Sequence, residues 1–419
     1  MNPKRSPPIP IFDNLDHTGN PFKRKHFDVE TVAPKAGKIV GASIDYEYAL
    51  KFLYSYNGSS ATFNSYRREL ERLLQWSWLV QECAVVSLKR EDIEEFIRFC
   101  ISPPLAWIGT KNVARFKVKD GDRVTNEEWR PFVSSVSKTE YRAGKVSTEK
   151  DFVFSQSAIK AIFTALSSFY GYLYEECLTE SNPVSLIRQK SKFVRKDQNR
   201  AVVRRISNFE WDYVLETAEL MASEHPDAHE RSLFIMNCLY AMYLRISELV
   251  SDERSSPIMG DFKKDDDGNW WFNVTGKGNK DRTITVCEDM KKSLKRYRRH
   301  LGLPGLPSPD DSTPLISKNL GKGPITSTRM VRKIVQDCFD NAFSRMREDG
   351  LEDDAIALKA ATVHWLRHTG ISEDVKVRPR EHVRDDAGHG SMQTTDRYIE
   401  SDARERHESG KYKTVRDIE

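Results

Sequence analysis

Apolar side chains recur at helical spacing in two segments of the first half of the chain. In TFNSYRRELERLLQWSW, residues 62–78, they fall at i, i+4, i+7 and i+8, which is one face of a helix: Tyr66, Leu70, Leu73 and Leu74. We expect the arginines of this helix to face outward: Arg67, Arg68 and Arg72. The segment SQSAIKAIFTALSSFYGYLYEECL, residues 155–178, shows the same repeat, and Asn182-Pro183 ends it. The pattern predicts two long helices.

The second half of the chain begins with a helix-start signal. Ser207 and Glu210 form a capping box before an apolar periodic run. The stretch SLFIMNCLYAMYL, 232–244, is apolar nearly all round, which predicts a buried central helix. WWFNV and RTITV alternate as two strands joined by the turn TGKGNKD, and the chain from Thr326 onward is mostly helical in pattern.

These patterns predict a mainly α protein of two domains, with a small antiparallel β-sheet in the second. We expect the following division: a flexible N-terminal tail at 1–41, a helical domain at 42–187 with an insertion of loops or short strands at about 104–151, a basic linker at 188–206, a second domain at 207–400 and a C-terminal tail at 401–419.

Composition excludes some classes of protein. With 419 residues and 38% apolar side chains the chain can bury two cores, yet it has no apolar run near the roughly 20 residues that a membrane span requires. The N-terminus does not resemble a secretory signal. Six cysteines without a CxxC pair are typical of reduced thiols. We expect a cytoplasmic protein without membrane contact.

The net charge of +4 conceals a basic cluster. Residues 188–205 contain eight basic side chains and one acidic one: Arg188, Lys190, Lys192, Arg195, Lys196, Arg200, Arg204 and Arg205. Such a run is either a solvated linker or an arm that neutralises the phosphates of a nucleic acid.

The candidate catalytic side chains are ambiguous one by one. Arg245 could form an internal ion pair with Glu248, and Lys277 could be a solvated residue of a turn. Tyr398 could belong to the hydrophobic core without a catalytic role. Together they suggest phosphoryl transfer. Two guanidiniums can each grip one phosphate in a forked contact, which stabilises charge and compensates for a weak tyrosine nucleophile. This chemistry needs no metal or other cofactor, and TGKGNKD lacks the P-loop spacing.

Six residues of the second half of the chain occur in the order and approximate spacing of the tyrosine recombinases, the phage-integrase family, which the sequence therefore resembles. The stretches LYAMYLRISEL, TGKGNKDRTITV, HWLRHT and AGHGSMQTTDRY carry them: Arg245, Lys277, His364, Arg367, His389 and Tyr398. The resemblance covers about Ser207 to Glu400 as a catalytic domain. More loosely, Gly41 to Ile187 is similar to the helical core-binding domain of the family, so the expected architecture is a two-domain DNA clamp.

The resemblance implies a role for each residue. Tyr398 would attack the scissile phosphate of double-stranded DNA and become joined to the 3′ phosphate, while Arg245 and Arg367 clamp that phosphate. Lys277 would protonate the departing 5′ oxygen. His364 would assist proton transfer with the tyrosine, and His389 would hydrogen-bond the phosphate. Glu248 matches an acidic position that supports the site.

The resemblance also implies partners. We expect a homo-tetramer on paired DNA sites, associated with the nucleoid, with accessory recombination factors and a C-terminal tail that exchanges between protomers. Extra length favours an integrase or transposase of a mobile element over a chromosome- or plasmid-resolving recombinase. One departure concerns packing: Ala387 stands where relatives usually have Leu, after an unusually charged segment.

Three other classes compete with this interpretation. A zinc hydrolase could use His364 and His368 at i and i+4, although Trp365 replaces the glutamate of the HExxH motif. A DNA-binding architectural protein could retain the fold without the chemistry. A type IB topoisomerase would share the tyrosine chemistry but act as a monomer.

Overall fold

The chain divides into two compact units, Met1–Lys196 and Asp197–Glu419. Each unit has its own hydrophobic core. The computed structural model describes residues 7–23, 29–136, 140–141, 144–185, 187, 193, 205–276, 280–319, 322–396, 398 and 410–411.

The first unit is helical around a core rich in aromatic side chains. The two long helices that the apolar pattern predicts pack against each other. The described helices are α1 (Leu15–Thr18), α2 (Val29–Val32), α3 (Ala42–Tyr54), α4 (Ser60–Trp76), α5 (Arg90–Ile101) and α6 (Gln156–Glu175).

Serine caps begin both long helices. The Ser59 hydroxyl accepts a hydrogen bond from the Thr62 amide at 3.4 Å, and the Ser155 hydroxyl accepts one from the Ala158 amide at 3.1 Å. Each cap satisfies an amide that the helix leaves unpaired at its first turn. The apolar stripe of α6 is buried as its spacing predicts: Ile159, Ile162, Phe163, Leu166, Phe169 and Leu173.

The described part of the N-terminal segment is packed against the first unit, which differs from the flexible tail that its composition predicts. Ile11 and Phe12 are only 4% and 1% exposed. The buried carboxylate of Glu71 accepts hydrogen bonds from the amides of Ile11 at 2.7 Å and Phe12 at 3.2 Å. A Pro-rich composition therefore did not prevent order, because two apolar side chains and one buried carboxylate hold the segment on α4.

The prediction that all three arginines of α4 face outward is wrong for two of them. Arg67 and Arg72 are buried, whereas the side chain of Arg68 is 46% exposed. The Nε and Nη2 atoms of Arg72 donate to the carbonyl of Pro131 at 2.9 and 2.7 Å. The arginines are covered because the N-terminal segment and the 104–151 region pack over this side of α4, which helical periodicity cannot indicate.

The 104–151 region consists of short strands and loops anchored by buried aromatic side chains. Trp107 and Phe132 are fully buried. The strands β1 (Ile108–Gly109) and β4 (Phe132–Val133) pair in parallel, whereas β2 (Phe116–Lys119) and β3 (Asp122–Thr125) form an antiparallel hairpin.

The second unit surrounds the predicted central helix. The capping box is confirmed: the Ser207 hydroxyl accepts from the Glu210 amide at 3.2 Å, and the Glu210 carboxylate accepts from the Ser207 amide at 2.5 Å. The described helices are α7 (Asn208–Glu224), α8 (Pro226–Ala241), α9 (Glu288–His300), α10 (Thr328–Glu348), α11 (Glu352–Ala360), α12 (Val363–Val377), α13 (Arg380–Ala387) and α14 (Met392–Asp396).

A three-stranded antiparallel sheet lies beside these helices, and its middle strand pairs with both of the others. The predicted hairpin is confirmed as β6 (Trp270–Thr275) and β7 (Asp281–Thr285), with Phe272 opposite Ile284. The third strand, β5 (Phe262–Lys264), is too short and too charged for alternation to reveal it. Within the described residues, none of the helices has the length and apolar character to cross a membrane.

Phe12→Ala tests whether the N-terminal segment belongs to the folded unit. The Phe12 ring stacks on Tyr46 with centroids 5.8 Å apart. Removing a buried phenylalanine ring costs about 3–5 kcal/mol of unfolding free energy, which urea denaturation followed by tryptophan fluorescence will measure. Ile9→Ala is the control, because Ile9 is 39% exposed and surface changes cost roughly 0.5 kcal/mol. Equal, small losses for both variants contradict the packed segment.

Candidate active site

A buried carboxylate organises one side of the site. Glu248 is 3% exposed and lies in the turn that follows the central helix α8. Its Oε1 accepts from Arg245 Nη1 at 3.0 Å, and its two oxygens accept from Arg282 Nη1 and Nη2, each at 2.8 Å. The two-bond contact with Arg282 fixes the carboxylate plane, and the carboxylate in turn fixes the guanidinium of Arg245.

The electrostatics of Glu248 follow from these contacts. Burial alone raises the pKa of a carboxyl, yet the hydrogen bonds and charges of Arg282 and Arg245 outweigh it and lower the pKa of Glu248. The ionised carboxylate thus supports the guanidinium of Arg245. The Arg245 side chain remains 29% exposed, so it can reach a ligand.

Arg367 supplies a second guanidinium from helix α12, and it is 5% exposed. Its Nη1 donates to the carbonyl of Tyr243, and its Nη2 donates to the carbonyl of Ala387 at 2.5 Å. Burial and, with it, the positive charge of Arg245 lower the pKa of Arg367 to about 9. Two guanidiniums that repel each other in a buried place favour an anion between them.

The backbone at Tyr243 presents its carbonyl to Arg367. Tyr243 has a φ of 49°, the left-handed region that non-glycine residues rarely adopt. Its hydroxyl is held by Asp374 and by Arg378, whose Nη1 donates to it at 3.0 Å. Such backbone strain is characteristic of functional sites, and here it places the carbonyl where a buried arginine needs an acceptor.

Helix α13 ends where the site requires a close backbone approach. Gly388 follows the helix with a φ of +63°, and a Cβ atom there would lie 2.8 Å from Cδ of Arg282. The Gly388 carbonyl accepts from Arg245 Nη2 at 3.2 Å. Ala387, which replaces the usual Leu, is fully buried with Tyr243, Val383 and Tyr398. The alanine therefore keeps an apolar contact at this position.

The charged segment before His389 is held together by ion pairs. Arg378 contacts Asp374 at 3.0 Å and Asp386 at 2.6 Å. Asp386 also accepts from the Thr285 amide at 3.2 Å, which ties α13 to strand β7. Specific salt bridges between α12, α13 and the sheet thus accompany the small apolar contact that Val383 and Ala387 make.

Tyr398 lies buried at this site, with 8% of its surface exposed. Its hydroxyl is 2.7 Å from Nδ1 of His368. Burial lowers the pKa of His368 to about 4, and the neighbouring His364 and Arg367 act in the same direction. The imidazole is therefore neutral near pH 7 and has one nitrogen that can accept a proton.

His389 stacks on the ring of Tyr398, with centroids 5.6 Å apart and planes 11° from parallel. Its Nδ1 is 2.9 Å from the Thr395 hydroxyl, which fixes the ring orientation. Burial and, with it, the positive charges of Arg367 and Arg245 lower the pKa of His389 to about 4. This histidine is also neutral near pH 7.

His364 begins helix α12 one turn before Arg367 and is exposed. Partial burial lowers its pKa, and Arg332, Arg367 and Arg245 add to that effect. These three arginines therefore lie near its ring. The resemblance assigns the proton transfer with the tyrosine to His364, whereas the residue within hydrogen-bonding distance of the Tyr398 hydroxyl is His368.

The structure thus brings five of the six predicted residues into one neighbourhood: Arg245, His364, Arg367, His389 and Tyr398. Lys277 lies outside the described residues. So do seven of the predicted DNA-contacting residues: Arg188, Lys190, Lys192, Arg195, Lys196, Arg200 and Arg204. Arg205 is described, and its Nη1 is 3.7 Å from Glu373. The 401–419 tail is described only at 410–411.

Sequence reasoning assigned no role in this site to His368 and Arg282. His368 had a signal, because it follows Arg367 directly and lies one helical turn after His364, but that spacing was interpreted only as a possible zinc pair. Arg282 offered no local signal, since it reaches Glu248 across 34 residues. Among the described residues, no group of three His, Cys, Asp or Glu side chains has the arrangement of a metal site.

Known proteins resemble this chain in part of its sequence and in its fold. No model of a known protein family matches the chain. Tyrosine recombinase XerC of Chlorobaculum parvum is 28% identical over 140 residues, covering 32% of this chain and 39% of the relative. Tyrosine recombinase XerC of Thermodesulfovibrio yellowstonii is 26% identical over 263 residues, covering 59% of this chain and 72% of the relative.

The solved structure of XerH site-specific recombinase bound to palindromic difH substrate, a post-cleavage complex, shares the fold. It has a TM-score of 0.54 at 15% identity and covers 97% of this chain and 99% of the XerH chain. The chain spans about two fifths of the C. parvum relative. The chain is thus similar in sequence to curated tyrosine recombinases and shares the fold of a solved site-specific recombinase.

Proposed function

We propose that this chain is a site-specific DNA recombinase that cleaves and rejoins strands of double-stranded DNA through a bond between Tyr398 and a 3′ phosphate. One observation carries the proposal. The buried Tyr398 hydroxyl lies 2.7 Å from Nδ1 of His368, and the ring of His389, which is close to the guanidiniums of Arg367 and Arg245, stacks on Tyr398. The names of the relatives, tyrosine and site-specific recombinases, support the same reaction.

The cleavage step follows from these groups. The Tyr398 oxygen attacks phosphorus, an O–P bond forms, and the bond from phosphorus to the 5′ oxygen breaks. The phenol proton passes to Nδ1 of His368, and Lys277 protonates the leaving 5′ oxygen. The new phosphotyrosine ester conserves the energy of the phosphodiester, so the reverse attack by a 5′ hydroxyl rejoins a strand without ATP.

Charge stabilisation compensates for the weak nucleophile. As the phosphorus becomes pentavalent, the phosphate oxygens gain negative charge. Arg245 and Arg367 can stabilise this charge by donating hydrogen bonds from those guanidinium N–H groups that are not used in the contacts described above. His389 keeps Nε2 for a phosphate oxygen, because its Nδ1 is bound to Thr395. His364 would also lie beside the bound phosphate, because it is close to the guanidiniums of both Arg245 and Arg367.

The biological setting has two candidates. The extra length of the chain favours an integrase or transposase of a mobile element, and the XerC and XerH names of the relatives favour a chromosome- or plasmid-resolving recombinase. In either setting the protein would act on DNA in the cytoplasm, as a tetramer on paired sites, with the 188–205 stretch following the DNA backbone. Accessory factors would set the direction of exchange.

Tyr398→Phe should abolish covalent attachment to DNA, because only the nucleophilic oxygen is lost, and should leave DNA binding within about twofold. The measurement is sequencing of DNA recovered covalently bound to the protein from cells, which also reveals whether the target is an element end or a chromosomal site. Tyr174→Phe, at an exposed tyrosine of the first unit, is the matched control. Persistent adducts in Tyr398→Phe would exclude this nucleophile.

Lys277→Ala should slow cleavage of ordinary DNA and spare a duplex whose 5′ bridging oxygen is replaced by sulfur, because a thiolate leaves without a proton. Single-turnover cleavage of both substrates measures the difference. Lys280→Ala, at an exposed lysine of the same turn, should slow neither. If Lys277→Ala slows both substrates equally, the lysine is not the general acid.

The pH dependence of cleavage tests the neutral imidazoles. His368 must be unprotonated to accept the phenol proton, and its pKa is about 4. The activity that depends on it is therefore present above that pH and lost only as the pH falls through about 4. Single-turnover rates on pre-bound DNA should show no decline centred near pH 6.5, the ordinary pKa of histidine. A tenfold fall between pH 7 and 5.5 would contradict the proposal.

A further inference from the structure

Arg282 lies between three segments that carry candidate catalytic residues. It belongs to strand β7, opposite Val274 of β6, and its side chain is 10% exposed. Each of its three guanidinium nitrogens donates a hydrogen bond to another part of the second unit. Because the guanidinium is planar and its donors point in fixed directions, these bonds set both its position and its orientation.

The first contact of Arg282 is the forked pair with Glu248. Nη1 and Nη2 donate to the two carboxylate oxygens, each at 2.8 Å, and the same carboxylate accepts from Arg245 Nη1 at 3.0 Å. Two parallel hydrogen bonds fix the plane of a carboxylate, which a single bond does not do. The direction of the Arg245 guanidinium therefore depends on Arg282 through Glu248.

The second contact holds the backbone before His389. The Nε atom of Arg282 donates to the carbonyl of Asp386 at 3.0 Å. A Cβ atom on Gly388 would lie 2.8 Å from Cδ of Arg282, so the side chain packs directly on this backbone. The Gly388 carbonyl in turn accepts from Arg245 Nη2 at 3.2 Å. Arg282 thus also holds the second group that orients Arg245.

The third contact is with the turn between β6 and β7. A Cβ atom on Gly276 would lie 3.0 Å from Nη1 of Arg282 and 3.3 Å from Oε1 of Glu248. The Gly276 amide donates to the Lys280 carbonyl at 2.8 Å, which closes the turn. Gly276 directly precedes Lys277 in the sequence. The ion pair of Arg282 and Glu248 therefore packs against the residue at which the Lys277 turn begins.

We infer that Arg282 is a positioning residue for strand cleavage. It holds the Arg245 guanidinium in register with the Lys277 turn and with the His389 segment. The inference rests on the proposed function, since it concerns the cleavage step. Arg282 acts through these neighbours and not on the phosphate itself, because each of its nitrogens has a protein acceptor. A misplacement of about 1 Å can slow a reaction about 100-fold, so the loss of Arg282 affects the rate of cleavage more than the affinity for DNA.

The test compares two variants of Arg282 in single-turnover cleavage of pre-bound duplex DNA. Arg282→Ala should cleave about 100-fold more slowly, with an affinity for the duplex within about twofold. Arg282→Lys keeps the charge and most of the stem but cannot fork a carboxylate. It should therefore keep the fold and still cleave about tenfold more slowly, which separates the forked geometry from the charge.

Arg298 provides the matched control, because it makes the same kinds of contact away from the site. It is 2% exposed, its Nε donates to the Pro304 carbonyl at 2.7 Å, and its Nη1 donates to Asp311 at 2.7 Å. Arg298→Ala should lower the thermal stability of the protein, as Arg282→Ala does. The single-turnover rate of folded Arg298→Ala should be unchanged.

Free guanidinium gives a second readout of positioning. A cavity of about 520 Å³ is lined by both Glu248 and Arg282. Truncation of Arg282 to alanine joins the vacated space to this cavity, so a guanidinium ion can enter and fork the Glu248 carboxylate. Millimolar guanidinium chloride should raise the cleavage rate of Arg282→Ala severalfold and leave Arg298→Ala unchanged. Sodium chloride at the same concentration is the control, since DNA binding depends on salt.

The outcomes separate this inference from the proposed function. Unchanged rates in folded Arg282→Ala and Arg282→Lys, with covalent Tyr398 adducts still formed, overturn the inference alone. An equal loss of rate in Arg298→Ala, without rescue of Arg282→Ala by guanidinium, shows an effect of stability only and also overturns it. If Arg282→Ala does not fold, Arg282→Lys decides: slow cleavage supports the inference, and an unchanged rate overturns it. An unsubstituted chain that forms no adduct with duplex DNA overturns both.

Discussion

The burial of the Arg367 guanidinium is the constraint on which the second unit depends. A buried charge is costly unless its donors are satisfied, and the acceptors here are the carbonyls of Tyr243 and Ala387. These carbonyls belong to the segment after the central helix and to the end of α13, so satisfying one side chain joins three distant parts of the chain. The left-handed backbone of Tyr243 presents one of these two carbonyls to Arg367.

This constraint also determines the chemical character of the site. Burial keeps His368 and His389 neutral near pH 7, and the positive charge of the nearby Arg367 acts in the same direction on both rings. The neutral rings can accept protons or hydrogen bonds beside Tyr398, while the guanidiniums supply the charge that an anionic phosphate needs. The acid–base groups and the anion-binding groups are therefore different residues whose properties are set by one shared environment.

The first unit solves a related problem in another way. Its buried arginines bind carbonyls, buried glutamates and aromatic faces, and in doing so they fasten the N-terminal segment and the 104–151 region onto α4. Charged side chains thus serve as connections between chain segments. In the second unit a buried carboxylate also orients an arginine, that of Glu248 for Arg245.

The sequence by itself determined the long helices, the hairpin and the identity of the candidate residues. Periodicity and capping boxes reflect interactions between residues that are close in the sequence, as at Ser207 and along α6. The order of the motifs from Arg245 to Tyr398 was likewise sufficient to identify the candidate residues from the sequence. Only the tertiary structure decided which arginines are buried, that the N-terminal segment is packed, and that His368 rather than His364 contacts Tyr398. The physical reason is that these outcomes depend on partners far away in the chain, such as Glu71 for Ile11 or Ala387 for Arg367, and no local spacing encodes them.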